Sequence, residues 1–181
     1  PRILAVANQK GGVGKTTTVV NIAANIAISG ARTLVIDLDP QGNATTGLGV
    51  DSKSNERSSY NVLVQQLPIS AARVQTVVEG LDLVPATMDL AGSEVELVPM
   101  FSRELRLQSA ISLIANEYDY ILIDSPAGID NGFQTAIECA NEAIVVVTPE
   151  VPSIRDADRV IGILMSKGIN DIRLIINRIR P

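Results

Sequence analysis

Histidine is absent from this 181-residue chain, and cysteine occurs once, at Cys139. The lack of histidine removes imidazole acid–base chemistry, histidine-containing triads and zinc sites with imidazole ligands. A lone cysteine excludes both an internal disulfide and a cysteine-only zinc site, so a reducing, cytoplasmic setting is expected. There is no tryptophan, and only three tyrosines and two phenylalanines. The core must therefore be built from aliphatic side chains. No apolar run reaches the roughly 20 residues that a membrane-spanning helix needs, and no secretory leader is evident. The formal charge of −5 weighs against a broad nucleic-acid-binding face, though it leaves room for a local basic patch.

Hydrophobic residues make up 46 % of the chain and charged residues 19 %, a globular balance with enough length for one domain spanning 1–181. Ile3 to Val6 form a short apolar run, followed at once by glycines. Lys15 to Ser29 places Val19, Ile22, Ala23 and Ile26 at helical spacing, and Gly30 stops it. Thr33 to Ile36 is a second apolar run, ending at Asp37. Residues 40–61 are rich in Gly, Ser, Thr and Asn and read mostly as loop, with room for a short helix. Residues 62–78 read as one or two short helices, 81–85 as a strand, 102–116 as a helix, 120–124 as a strand, 131–140 as a helix and 143–148 as a strand. A helix is expected from Ser153, with Ser153 and Asp156 as a capping box and Gly168 as its end, before a last strand at 172–176. Strands that are apolar throughout, alternating with helices, imply an α/β three-layer sandwich around a mostly parallel sheet buried on both faces.

The sharpest motif is Lys10-Gly11-Gly12-Val13-Gly14-Lys15-Thr16-Thr17. Its end matches the phosphate-loop pattern G-x-x-x-x-G-K-[ST], although Gln9 stands where the first glycine is usual. Glycines let successive amides curl around phosphate oxygens, and the helix that follows adds free N–H groups and partial positive charge. Lys15 can bridge outer phosphates and the Thr16 hydroxyl can bind Mg²⁺. The plain alternative is a flexible glycine-rich turn with an exposed lysine; the coincidence of strand, glycines, Lys-Thr and helix argues against it. Lys10, on chemistry alone, could equally be a solvated surface lysine.

Ligands of an open parallel sheet bind beyond the C-terminal ends of its strands. Asp37, Asp39 and Asp124 all fall at that edge, beside the loop. Asp124 suits a metal-organising carboxylate, and Asp39 suits the orientation of an attacking water. The alternatives are ordinary turn chemistry for Asp39, before Pro40, and for Asp124. Asp37 could be structural or support the metal from behind. Ser125-Pro126-Ala127-Gly128 reads as a segment held by the γ-phosphate and released without it, or as a rigid loop. Asn177 ends the last strand, where its amide could pair with an adenine or cap the strand. Cys139 is expected to be a buried, inert thiol.

These motifs resemble the deviant Walker A ATPases of the ParA/MinD family. The strings ANQKGGVGKTTT at 7–18, DLDPQGNATTGLGV at 37–50 and GLDLVPATMDLAGSEVEL at 80–97 resemble ParA/Soj-type partitioning proteins. The strings YDYILIDSPAGIDNGF at 118–133, VVVTPEVPSIRDADRVIG at 145–162 and LIINRIRP at 174–181 resemble the septum-site protein MinD. A hybrid and a natural intermediate sequence are both open. The resemblance implies a P-loop NTPase fold, ATP and Mg²⁺ as ligands, and a slow ATPase switch that forms a homodimer in the ATP state. Gly11, Gly12, Val13, Gly14, Lys15, Thr16 and Thr17 would cradle the nucleotide and Asn177 its base. Thr16, Asp39 and Asp124 would serve the metal, with Asp39 activating water. Lys10 would reach the nucleotide of the partner subunit, and Glu150 and Asp156 would lie near dimer and partner surfaces. A ParB-type activator is implied first, with a MinE-type activator as the alternative, and a nucleotide-binding module without efficient turnover as a third reading. Family members normally run well past residue 181, so this chain is expected to be C-terminally truncated, without the family's DNA-binding or membrane-binding elements.

Overall fold

The protein is described here by a computed structural model covering residues 1–52, 56–100 and 102–179. In chain order the elements are β1 (Arg2–Ala7), α1 (Lys15–Ile28), β2 (Thr33–Asp37), α2 (Asn43–Gly47), α3 (Ser59–Gln65), α4 (Ile69–Ala72), β3 (Val74–Gln75), β4 (Leu81–Val84), α5 (Leu90–Leu97), α6 (Arg106–Ser112), β5 (Tyr120–Asp124), α7 (Asn131–Cys139), β6 (Glu142–Val147), α8 (Val151–Ser166) and β7 (Asp171–Ile176). Single 3₁₀ turns at Arg103–Leu105 and Ala115–Glu117 flank α6.

The strands form one seven-stranded sheet in the order β3-β4-β2-β5-β1-β6-β7, parallel except for the pairing of β3 with β4. The aliphatic strand runs have the double burial that their composition calls for. On β5, Ile121 and Ile123 join the core beneath α3, α6 and α7, while Leu122 joins the opposite core beneath α1. On β6, Ala143, Val145 and Val147 face the first core and Ile144 and Val146 the second. Both faces being dry explains the missing polar alternation. At the N-terminal end of the sheet, Glu142 accepts hydrogen bonds from Arg2 at 2.5 Å and Arg173 at 2.6 Å, tying β1, β6 and β7 together.

Three expectations are corrected. The helix expected over 102–116 is broken into two 3₁₀ turns and α6, because Ser112 Oγ turns back onto the Ser109 carbonyl at 2.7 Å and Ile114 leaves helical geometry before the chain enters β5 at Tyr120. Within the stretch read as helices, Val74–Gln75 instead form an antiparallel edge strand, too short for a periodic signal. The helix expected from Ser153 begins earlier, at Val151 with Glu150 as its N-cap residue. Ser153 caps nothing there; its buried hydroxyl accepts the Thr148 N–H at 3.0 Å and ties the helix to the end of β6. Of the polar stretch read as loop, Asn43–Gly47 is helical, and residues 53–55 lie outside the described residues, as do 180–181 of the last quoted string.

Strand β7 differs from its neighbours. It lies at the sheet edge, where Leu174 is 52 % and Ile176 49 % exposed, whereas Ile123 is fully buried. Ile123→Ala should therefore cost about 2–5 kcal/mol, while Leu174→Ala should stay within about 0.5 kcal/mol. Urea unfolding of the two variants checks this, and equal losses would contradict the assigned burial.

Candidate functional site

The loop after β1 is pinned from several directions before it reaches α1. Asn8 is fully buried; its amide nitrogen donates to the Val146 carbonyl at 2.6 Å, and its oxygen accepts the Lys10 N–H at 3.1 Å. Gly12 and Gly14 then take φ of 72° and 101°, conformations that side chains resist. A Cβ on Gly14 would also sit 2.4 Å from Asn177 Nδ2. Gly14 is the N-cap residue of α1, with no side-chain cap and no acidic residue in the first turn. The amides at this helix start are thus left to a ligand with negative charge.

Lys15 opens α1 and is buried, its ammonium donating to the Lys10 carbonyl at 3.2 Å. Burial lowers its pKa, and the nearby Asp124 and Asp39 charges oppose that. Gly11, Gly12, Lys15, Thr16, Thr17 and Asp39 line one open cleft of about 570 Å³. The structure therefore brings the sequence-predicted loop residues and Asp39 to the same place. Val13 is buried beneath the loop and contributes backbone alone.

Asp37 and Asp124 are register partners on adjacent strands, both fully buried at the strand ends. Their surroundings differ. One oxygen of Asp37 accepts the Asp39 N–H at 3.0 Å; the other accepts the Thr45 N–H at 2.9 Å and the Thr45 hydroxyl at 2.7 Å. That carboxyl is a structural clamp, and burial raises its pKa to about 6 against the pull of Thr45. Neither oxygen of Asp124 has a partner in good hydrogen-bond geometry, although the Thr16 hydroxyl stands close enough to favour its charged form. Burial drives its pKa up to about 7, with the Asp37 charge adding to the rise and the Thr16 hydroxyl and Lys15 ammonium opposing it. Asp39 is half-buried and accepts the Gln41 N–H at 3.0 Å.

The segment after Asp124 closes over the loop. Ser125 Oγ donates to the Val6 carbonyl at 2.9 Å and the Gly128 N–H to the Gln9 carbonyl at 2.9 Å. Asn177 follows β7 and lies against Gly14, its amide nitrogen donating to the Val13 carbonyl at 2.9 Å. Lys10 points away from Lys15, to Glu150 at 2.6 Å on the protein surface. Asp156, on α8, has no place in the cleft. Sequence reasoning missed Asn8, Thr45 and Arg178. No local pattern marks the first two, since their partners Val146 and Asp37 are 138 and 8 residues away. Arg178 carried one faint signal, its place directly after Asn177.

Two raised carboxyl pKa values have a consequence for stability. Between about pH 4 and 7 the folded chain binds more protons at Asp37 and Asp124 than the unfolded chain does, so their contribution to stability is lost as pH rises through that window. Free of nucleotide and divalent cations, the chain should lose thermal stability between about pH 5 and pH 8. Asp124→Asn should flatten that slope and stabilise the chain at pH 8 by about 2 kcal/mol. Calorimetric Tm measurements across this range check it; an unchanged slope in the variant contradicts it.

The chain resembles known proteins along most of its length. The profile of an AAA domain family (AAA_31) matches residues 1–172. The chain is 41 % identical over 174 residues to the sporulation initiation inhibitor protein Soj of Bacillus subtilis, covering 96 % of this chain and 66 % of that protein. It is 44 % identical over 191 residues to a putative septum site-determining protein MinD of Emiliania huxleyi, covering 99 % of this chain and 64 % of that protein. The chain thus spans 64–66 % of the length of these relatives. Among solved structures, a cobyrinic acid a,c-diamide synthase from Mycobacterium smegmatis, with bound ATP analog and magnesium, superposes with a TM-score of 0.87 at 37 % identity, covering 96 % of this chain and 72 % of that one. A glycine loop feeding an uncapped helix, with acids at the adjoining strand ends, is joined here to a family match along nearly the whole chain: the protein belongs to the ParA/MinD family of P-loop ATPases.

Proposed function

We propose that residues 1–181 act as one nucleotide-binding unit, the core of a slow ATP-driven switch in which residues 10–17 hold the triphosphate of ATP together with Mg²⁺. Asp124 is the main support. A carboxyl with both oxygens buried and unpartnered costs stability unless a cation reaches it, and it stands beside Lys15 and Thr16. The M. smegmatis structure holds an ATP analog and magnesium, the same pair of ligands.

The residues present suit Mg²⁺. Thr16, Asp39 and Asp124 offer hard oxygen donors, and no cage of three acidic, cysteine or histidine side chains exists among the described residues. Mg²⁺ favours such sparse sites, where it keeps waters and shares phosphate oxygens. When bound, it would offset charge between the outer phosphates. Gly11 to Thr17 would supply backbone amides to the phosphates, and Lys15 its ammonium. Asp39, held by the Gln41 N–H, would orient the attacking water and take up its proton. Asn177 keeps one N–H and one lone pair beyond its contacts with Val13 and the Arg178 N–H, and these would meet the adenine edge. Lys10, paired with Glu150 of its own chain and accessible, would exchange that partner for phosphate across an ATP-dependent homodimer.

Within the family we favour a ParA/Soj-like partition ATPase with a ParB-type activator, because the Soj-like strings cover the phosphate loop and the Asp39 segment. A MinD-like positioning ATPase with a MinE-type activator is supported by the resemblance from residue 118 onward and by the relative named MinD. A nucleotide-binding module without efficient turnover is the third reading.

Turnover and mass should be measured together, by phosphate release and light scattering. Wild type should hydrolyse ATP and form a dimer with it. Lys15→Ala should abolish both, and Asp39→Ala should cut turnover by at least about 100-fold while leaving ATP bound. Turnover no higher than that of Lys15→Ala would remove the ATPase reading. ATP bound tightly by a persistent monomer would point to the module instead. Stimulation by a ParB-type peptide but not by a MinE-type one separates the two family roles.

A further inference from the structure

Arg178 stands directly after β7 and Asn177, on the rim of the phosphate-loop cleft. Its φ of 58° lies in the left-handed region, which is uncommon outside glycine, asparagine and aspartate. This turn sends the side chain back over the loop, where the guanidinium donates to the Gly12 carbonyl at 2.8 Å. Its neighbour Asn177 donates to the next carbonyl, that of Val13, at 2.9 Å. Two consecutive residues at one strand end thus hold two consecutive carbonyls of a loop more than 160 positions away.

The geometry of the peptide unit gives this contact a consequence. Each unit is rigid, planar and trans, so its C=O and the following N–H point in opposite directions. Fixing the Gly12 carbonyl fixes the Val13 N–H on the other side of the loop, and fixing the Val13 carbonyl does the same for the Gly14 N–H. Those amides belong to the stretch that would curl around phosphates. Gly12 and Gly14 leave the loop backbone free to choose other conformations, so something outside the loop must select one. The charge of Arg178 also falls on the cleft rim: the Glu150 carboxyl is held below the usual carboxylate range by Lys10 first, with Arg178 contributing.

We propose that Arg178 is a positioning residue for nucleotide binding, presetting the Val13 amide for the outer phosphates by holding the Gly12 carbonyl, as Asn177 presets the Gly14 amide. This rests on the reading of residues 10–17 as the phosphate site. The backbone strain at Arg178 is then kept for the sake of the loop, and removing the side chain should separate stability from affinity.

The test is titration calorimetry with ADP and with AMP in Mg²⁺ buffer, alongside the Tm of the nucleotide-free chain, for wild type, Arg178→Gly, Arg178→Lys and Lys15→Ala. Glycine accepts φ of 58° freely, so Arg178→Gly should keep or raise Tm. Its ADP affinity should fall about tenfold, with a smaller change for AMP, which lacks the outer phosphate. Arg178→Lys, which retains a cation and a donor, should fall between. Equal weakening of ADP and AMP would overturn the inference, because it would place Arg178 on the base or ribose. A parallel fall of Tm and affinity in Arg178→Gly would reduce the contact to fold stability, and unchanged affinity would dismiss it. ADP binding equal in wild type and Lys15→Ala would instead overturn the phosphate-loop reading, and this inference with it.

Discussion

Burial of an unpartnered carboxyl at Asp124 is the constraint around which the site is arranged. Its strand is central in the sheet, with β1 and β2 on either side, so no water-filled edge is available to solvate it. The neighbouring Asp37 carboxyl raises the cost further, and the Lys15 ammonium, itself poorly solvated, relieves part of it. A fold that carries this group is unfinished electrostatically until a cation arrives with more oxygen ligands. The same feature that weakens the free chain therefore favours the occupied one, because a ligand that binds only the folded state adds stability by mass action.

The phosphate loop shows how distributed the machinery is. Within the loop only the Lys15 ammonium, on the Lys10 carbonyl, holds the curl among the hydrogen bonds described; the other ties come from elsewhere. Asn8 ties its start to β6, Gly128 ties Gln9 to the segment after β5, and Asn177 and Arg178 reach it from the end of β7. Each contact is a single hydrogen bond of modest net strength, on the order of 1 kcal/mol. Together they restrict a glycine-rich segment that would otherwise sample many conformations. Of these ties Arg178 lines the cleft itself, as does Ala127 beside Gly128.

Much of this was legible in the linear chain where the physics is local. Aliphatic runs of four to six residues without polar alternation gave the parallel sheet, and β1, β2, β5 and β6 fall within one residue of the ends read from the sequence. The phosphate loop was legible because glycine and lysine at fixed offsets before a helix have few other uses. Errors arose where neighbours far along the chain decide. The edge strand Val74–Gln75 exists because β4 lies beside it, and two residues carry no period. Ser153 has the right spacing for a cap, yet its hydroxyl is claimed by Thr148, so the helix starts at Val151 instead. The helix expected over 102–116 ends at Ser112 because the chain must turn at Ile114 to enter β5.

The three strand-end acids mark the division most clearly. Sequence alone indicated that Asp37, Asp39 and Asp124 would gather at one edge of the sheet, because parallel strands place all their C-terminal ends on the same side whatever their order. It could not rank them. Only the tertiary structure assigned Asp37 to Thr45, left Asp124 without a partner and set Asp39 at the open cleft, since burial and hydrogen-bond partners depend on what packs across the fold. Arg178 belongs to the same class. Its chemistry is written in the sequence, but its role depends on a left-handed turn that brings it onto Gly12, and long-range approach of that kind has no local code.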